Sequence, residues 1–165
     1  MTPFASPEIA LHWHHIELAM DRILVANADR SVDERNFRPP APDTNSIHVL
    51  AVHTIGNLRQ NVFEAILGKP TGRDRDAEFT ALASATNDQS VIWPDIKDEV
   101  RAALMTIPDT ELDSLKHHPR RGERSIRDIL LMASTHAAEH AGHAELTRDL
   151  ALEAVARSNE SELNT

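Results

Sequence analysis

The stretch Thr135-His-Ala-Ala-Glu-His-Ala-Gly-His143 lies near the C-terminus and carries three histidines at positions i, i+4 and i+7. Because an α-helix turns by ~100° per residue, the three side chains share one stripe of a helix. Ile129, Met132 and Leu150 fall on the same stripe, so we expect it to face a hydrophobic core. An imidazole inside a core needs polar partners, and one metal ion can satisfy several imidazoles at once. The stretch therefore predicts a core helix with a candidate metal site.

The overall composition narrows the class of protein. The chain has 165 residues, which suit one domain, and we place it at residues 1–157 with a frayed tail at 158–165. The net charge of −9 argues against nucleic-acid binding, because affinity for phosphate backbones comes mostly from Lys and Arg. The chain has no cysteine, so any metal must be bound by His, Asp or Glu.

The N-terminus and the hydropathy pattern bear on location. Residues 1–10 lack the basic start and the long apolar run of a secretory signal. No window approaches the ~18 continuous apolar residues that a membrane span needs. We therefore expect a cytoplasmic protein that contacts no membrane and acts on a small-molecule substrate.

Helical patterns cover most of the chain and predict an all-α fold. The predicted helices run from Pro7 to about Asp29, from a cap at Asp43 or Asn45 to Leu67, from Ser90 to Ile107 and from Ser125 to about Arg157. These four helices, with a long connection between the second and the third, fit a four-helix bundle. A short helix is expected within that connection, over residues 76–85, and little of the chain has the pattern of a strand.

A third histidine in a similar setting lies on the second predicted helix. Apolar neighbours around that helix place His53 on its inward face, whereas His48 lies ~140° away and is expected to point elsewhere. Together, His53, His136 and His140 would give a metal three protein ligands and leave open positions for water or substrate. Such an open position is typical of a catalytic zinc site and absent from a closed structural site.

Each candidate also has an ordinary structural interpretation that the sequence leaves open. A buried histidine is most often a hydrogen-bonded core residue, and this applies to His53. His143 is either a polar neighbour of the metal ligands or a small-interface residue beside Gly142. Asn57 is either a polar core residue or a hydrogen-bonding group of a pocket.

Other polar residues are expected to have no role in a site. Arg73 and Arg75 are interpreted as surface ion pairs with neighbouring acids. His117 and His118 are interpreted as loop surface. No aspartate or glutamate stands out as an inward general base, since Glu139 lies ~60° from the ligand stripe.

Three motifs resemble the DinB/YfiT-like metalloenzyme superfamily, and the resemblance covers most of residues 37–150. The motifs are Asn45-Ser-Ile-His-Val-Leu-Ala-Val-His-Thr-Ile-Gly-Asn57, Gly72-Arg-Asp-Arg-Asp-Ala-Glu-Phe79 and His136-Ala-Ala-Glu-His-Ala-Gly-His-Ala-Glu-Leu-Thr-Arg148. The resemblance implies a four-helix bundle, often dimeric. In it, one residue of the second helix and two residues of the last helix hold a divalent metal.

Carried over by motif position, the implied metal ligands are His53, His136 and His140. His143 matches a position that is usually polar and near the metal without being a regular ligand. We assign His143, together with Asn57, to cofactor binding. Three neutral imidazoles would suit zinc or nickel, with iron as a further option.

The resemblance also implies an activity. The superfamily includes thiol-dependent transferases and a mycothiol-dependent isomerase, in which the metal activates a low-molecular-weight thiol. We therefore expect a divalent-metal-dependent enzyme in a homodimer, either a thiol-dependent S-transferase or a small-substrate hydrolase. The alternative is a non-catalytic helical dimer whose metal is structural or vestigial and which acts through a protein partner.

Overall fold

The computed structural model describes the backbone of residues 4–163 and the side chains of residues 4–158. Its helices are α1 (Pro7–Asn27), α2 (Val32–Asn36), α3 (Ile47–Arg59), α4 (Arg75–Phe79), α5 (Gln89–Leu104) and α6 (Ile126–Leu163). A π-helix, Gln60–Ile66, continues α3, and a short 3-10 helix spans Asp109–Glu111. Strands β1 (Leu115–His118) and β2 (Gly122–Ser125) form an antiparallel hairpin. The prediction of a mostly helical chain is confirmed.

Side chains before the first turn explain where the long helices begin. The hydroxyls of Ser6, Ser46 and Ser125 accept hydrogen bonds from the backbone N–H groups of Ile9, Val49 and Asp128. The cap of α3 thus lies one residue beyond the predicted Asn45. Helix α5 begins after Asp88, because the Asp88 carboxylate accepts the Ser90 N–H at 2.9 Å.

One hydrophobic core is shared by α1, α3 with its π-helical continuation, α5 and α6. The most extensive packing is between α1 and α6, and α3 packs against both. Trp13 and Met20 of α1 and Ile129 of α6 are fully buried in this core. Small buried residues on α6 allow the neighbouring helices to approach closely, and they lie between and on either side of the histidines of that helix: Ala133, Ala137, Ala141 and Ala144.

The hairpin corrects the prediction of an all-α fold. Its residues are mostly polar on both strands, so they lack the alternation of apolar and polar side chains that indicates a strand. In the structure Leu115 pairs with Ser125 and His118 with Gly122. The loop between the strands closes at Gly122, which has a φ of 69°, a conformation that glycine adopts without strain.

Two further stretches differ from the prediction. The last helix continues past Arg157 to Leu163, so the predicted frayed tail at 158–165 is helical up to that point, and residues 164–165 lie outside the described residues. The long connection contains α4, which is shorter than the helix predicted over residues 76–85. Over the described part of the chain, no helix combines the length and the apolar character that crossing a membrane requires.

Candidate metal centre

One histidine from α3 and two from α6 form a compact cluster. The ring centroids of His53 and His136 lie 5.1 Å apart, those of His53 and His140 5.2 Å, and those of His136 and His140 4.2 Å. One nitrogen from each ring lies within 4.8 Å of the others. The packing of α3 against α6 thus brings His53 next to His136 and His140, which follow it by more than eighty positions in the sequence.

Several nitrogens of this cluster are buried without a partner. Among the described residues, Nε2 of His136 and both ring nitrogens of His140 have no hydrogen-bond partner. Leaving a buried polar atom unpaired costs about 1–3 kcal/mol. Coordination of a cation by neutral imidazoles would satisfy such nitrogens, so the donor set fits a divalent metal ion.

Burial also keeps two of these rings neutral. Desolvation, with the nearby His140 and His53, lowers the pKa of His136 to about 3. Desolvation, with the nearby His53 and His143, lowers the pKa of His140 to about 4. The neutral ring is the form that binds a metal, so His136 and His140 are in their ligating form at neutral pH.

The third ring is oriented by a buried carboxylate. Nδ1 of His53 lies 2.9 Å from Oε2 of Glu78, which lies on α4. Burial raises the pKa of Glu78, but hydrogen bonds from Arg73 and His53 outweigh burial and hold that pKa below its ordinary value. Nη2 of Arg73 lies 3.2 Å from the same Nδ1, farther than the carboxylate. Because an ionised carboxylate only accepts hydrogen bonds, the closer contact requires the proton on Nδ1 and leaves Nε2 of His53 for a ligand.

Arg73 and Gly56 keep this carboxylate in place. Nε and Nη2 of Arg73 each donate to a different oxygen of Glu78 at 2.7 Å. A Cβ at position 56 would lie 1.9 Å from Oε1 of Glu78 and 3.2 Å from Nε of Arg73. Glycine at this position therefore opens the space on α3 that the carboxylate fills, three residues after His53.

Arg73 and Glu78 are the site residues that the sequence analysis missed. Arg73 was expected in a surface ion pair, yet its side chain is only 5 % exposed, and that of Glu78 is 9 % exposed. Both lie in the connection after the π-helix, where helical periodicity assigns no inward face. Their shared place in the Gly72–Phe79 motif was the one available indication.

A pocket of 130 Å³ lies beside the cluster and reaches His53 and His136. Asn57 lines it, in agreement with the pocket interpretation of that residue. Other lining residues are Arg73, Arg75, His118, Arg120, Arg121 and Met132. A larger surface depression of 850 Å³ follows residues 38–45 and contains none of the three histidines, so the smaller pocket is the one relevant to the cluster.

His143 lies on the other side of the cluster. Its side chain is exposed, and its ring centroid is 5.7 Å from that of His140. It lines a separate cavity of 310 Å³, together with Leu50, Leu146 and Leu150. The structure therefore does not bring His143 and Asn57 into one pocket.

A chain of hydrogen bonds connects the hairpin to the pocket. Nδ1 of His118 accepts the backbone N–H of Arg120 at 3.1 Å, so its Nε2 carries the proton and donates to Oδ1 of Asn61 at 3.2 Å. Nδ2 of Asn61 donates in turn to Oδ1 of Asn57 at 2.9 Å. The prediction that His118 lies on loop surface is wrong, since it is 4 % exposed, whereas His117 is exposed.

The metal-free protein is expected to lose stability as the pH falls below ~6.5. The unfolded chain protonates His136 and His140 near that pH, whereas the folded chain protonates them only near pH 3 and pH 4. The unfolded state therefore binds more protons in this window, and the free energy of unfolding decreases as the pH decreases. Urea denaturation after chelation, at several pH values between about 7.5 and 5, measures this slope.

A double variant with His136→Gln and His140→Gln should reduce the slope, because it removes the two histidines whose pKa is lowered most. A smaller slope remains, since burial also lowers the pKa of His12, His48 and His118. The control is His14→Gln, a substitution at an exposed histidine of α1. If the double variant and the control show the same slope, the two buried rings are not the source of the pH dependence.

Comparison with known proteins gives the chain its family. The family model of the DinB superfamily matches residues 15–144. A solved structure, described as the conserved protein of locus from Enterococcus faecalis, superposes with a TM-score of 0.69 and 20 % sequence identity, over 87 % of this chain and 96 % of that chain. This likeness shows a shared fold. No curated protein matches the chain. Since the family model covers most of its length, the chain belongs to the DinB superfamily.

Proposed function

We propose that this chain is a divalent-metal-dependent enzyme on a four-helix-bundle scaffold, with His53, His136 and His140 as the metal ligands. The observation that carries the proposal is the set of buried, unpaired nitrogens on His136 and His140, beside a third ring whose Nδ1 is already engaged. Membership of a superfamily with metal-binding members supports it. Imidazole ligands suit zinc or nickel, with iron as a further option.

A divalent ion held by three neutral ligands would lower the pKa of a thiol or water at its open position. The residues of this chain would orient the metal ligands and select the substrate. Glu78 fixes the His53 ring, and the amide of Asn57 offers a donor in the pocket. We expect a small-molecule substrate and a cytoplasmic location.

The choice of nucleophile follows from the missing base. Within residues 4–158, no acidic side chain lines the pocket, Glu139 is exposed, and Glu78 is hydrogen-bonded to Arg73 and His53. A thiol, with an ordinary pKa near 8.5, needs less help from a general base than water does. We therefore favour a thiol-dependent S-transferase, using a low-molecular-weight thiol, over a small-substrate hydrolase.

The second candidate is a non-catalytic helical dimer with a structural metal, acting through a protein partner. Helix α1 carries an exposed apolar stripe, and its residues, spaced seven apart, are Leu11, Leu18 and Val25. Such a stripe suits packing against a second helix of the same kind. We propose that a homodimer forms there, which is compatible with either function.

A Co²⁺-substituted protein separates the two functions. If the metal position is open, adding 2-mercaptoethanol or imidazole should shift the visible absorption bands, because a new ligand changes the coordination of the ion. A spectrum that is indifferent to both ligands would favour the structural metal.

Single substitutions His53→Ala, His136→Ala and His140→Ala are each expected to abolish metal binding, because each removes one of three ligands. Elemental analysis of protein purified without a histidine tag and reconstituted with metal gives the measurement. The wild type should hold about one ion per chain and each variant less than about a tenth of that.

Two histidines serve as controls. His48 lies on α3, is 1 % exposed and is outside the cluster, so His48→Gln should retain the metal. His143→Ala should weaken retention only partly. A loss at His143 as large as at the three ligands, or a metal-free wild type after reconstitution, would contradict the proposed ligand set.

Gly56→Ala is expected to reduce metal affinity by about 10- to 100-fold, the usual effect of losing the partner that orients a ligand. The new Cβ would displace the Glu78 carboxylate and release His53. Competition with a metal-binding dye measures the affinity. Gly142→Ala is the matched control, since nothing nearby meets a Cβ there. Equal affinities for the two variants would show that Glu78 does not support the site.

A further inference from the structure

The pocket beside His53 and His136 is strongly basic, although the chain as a whole carries a net charge of −9. Four arginines line it: Arg73, Arg75, Arg120 and Arg121. No acidic side chain of the described residues does. The Glu78 carboxylate neutralises the charge of Arg73, so the guanidinium groups of Arg75, Arg120 and Arg121 remain without a balancing charge.

Among the described residues, Arg75, Arg120 and Arg121 differ from two neighbouring arginines in having no acidic partner. Two other arginines of the same region are paired: Nε of Arg124 lies 3.3 Å from Asp128, and Nε of Arg127 lies 3.1 Å from Asp113. In the part of the chain that the structure describes, the side chains of Arg120 and Arg121 have no hydrogen bond or ion pair. Arg75 stacks on the ring of Phe79, with 4.5 Å between its Cζ and the ring centroid, and no acid of the described side chains pairs with it.

The backbone that carries two of these arginines is firmly held. The buried ring of His118 accepts the N–H of Arg120, and the carbonyl of His118 accepts the N–H of Arg121. His118 is anchored in turn to Asn61, which also lines the pocket. The backbone of the hairpin turn is therefore held in place, and the exposed side chains of Arg120 and Arg121 extend from it to the pocket.

We propose that this pocket binds an anionic oxygen group, a carboxylate or a phosphate, of a small-molecule ligand, through Arg120 and Arg121 with Arg75. A guanidinium donates two parallel hydrogen bonds to either group, and this geometry gives strong and directional binding. The pocket volume of 130 Å³ has room for such a group beside the histidines.

The charge of the whole chain favours a small anion over a polyanion. Binding of nucleic acid requires an extended basic surface, whereas here the arginines of the site line one small pocket on an acidic protein. The anion site deepens the proposed function, because it would select the thiol or the electrophile that reaches the metal. Binding of the anionic group itself does not require the metal.

Two thiols that differ by a carboxylate test the proposal on the metal-reconstituted protein. Mercaptoacetate should bind at least about tenfold more tightly than 2-mercaptoethanol, as measured by calorimetry at low ionic strength, where charge pairing is least screened. Combining Arg120→Gln with Arg121→Gln should remove this preference. Arg124→Gln should keep it, since Arg124 is paired with Asp128 and does not line the pocket. Equal binding of the two thiols to the wild type would overturn the proposal.

A metal-free arm separates this proposal from the proposed function. Succinate and inorganic phosphate are titrated against chelated protein, and the stronger binder identifies the carboxylate or the phosphate as the preferred group. Arg-dependent binding without any metal uptake would support the anion site and sink the metal enzyme. Metal uptake with no binding of either anion would overturn the anion site and leave the proposed metal enzyme supported. Circular dichroism of the double variant checks that it is folded.

Discussion

The ion pair of Glu78 and Arg73, buried against α3, is the contact on which the histidine centre depends. Burying the Glu78 carboxylate without a partner would cost several kcal/mol, and the two hydrogen bonds from the Arg73 guanidinium offset this cost. The pair fits because position 56 has no side chain. In return it fixes the tautomer of His53 and joins the irregular connection to the helical core. A substitution of Gly56, Arg73 or Glu78 is therefore expected to change the orientation of the His53 ring.

Charge connects the histidine cluster to the basic pocket. The imidazoles contribute no charge of their own when they act as ligands, and Glu78 cancels only Arg73. A divalent ion on the cluster would add two positive charges beside three unbalanced arginines. At short range such like charges repel, so a metal-loaded site of this composition would be stabilised by an anionic ligand. The two proposals thus support each other while remaining separately testable.

The helices and the histidine cluster could be predicted because both follow the 3.6-residue period of a buried helix. His53, His136 and His140 share helix faces with apolar neighbours in the sequence pattern, and in the structure the same three residues lie together. Arg73, Glu78 and His118 could not be placed, because they lie in segments whose burial is decided by tertiary contacts alone. The stretch Pro119-Arg-Arg-Gly122 contains turn residues typical of a hairpin. The hairpin was not predicted, because the strands on either side of the turn are polar and lack alternating apolar residues.

The two predicted cofactor residues indicate the direction from which a ligand would approach. Along α6, His136 and His143 are seven residues and so about 10 Å apart, with His140 between them. The basic pocket meets the cluster at His136, whereas the apolar cavity meets it only by way of His143. An anionic ligand gains nothing from a leucine-lined cavity and gains charge pairing from the arginines. Asn57, which lines the basic pocket, is therefore better placed than His143 to contact such a ligand.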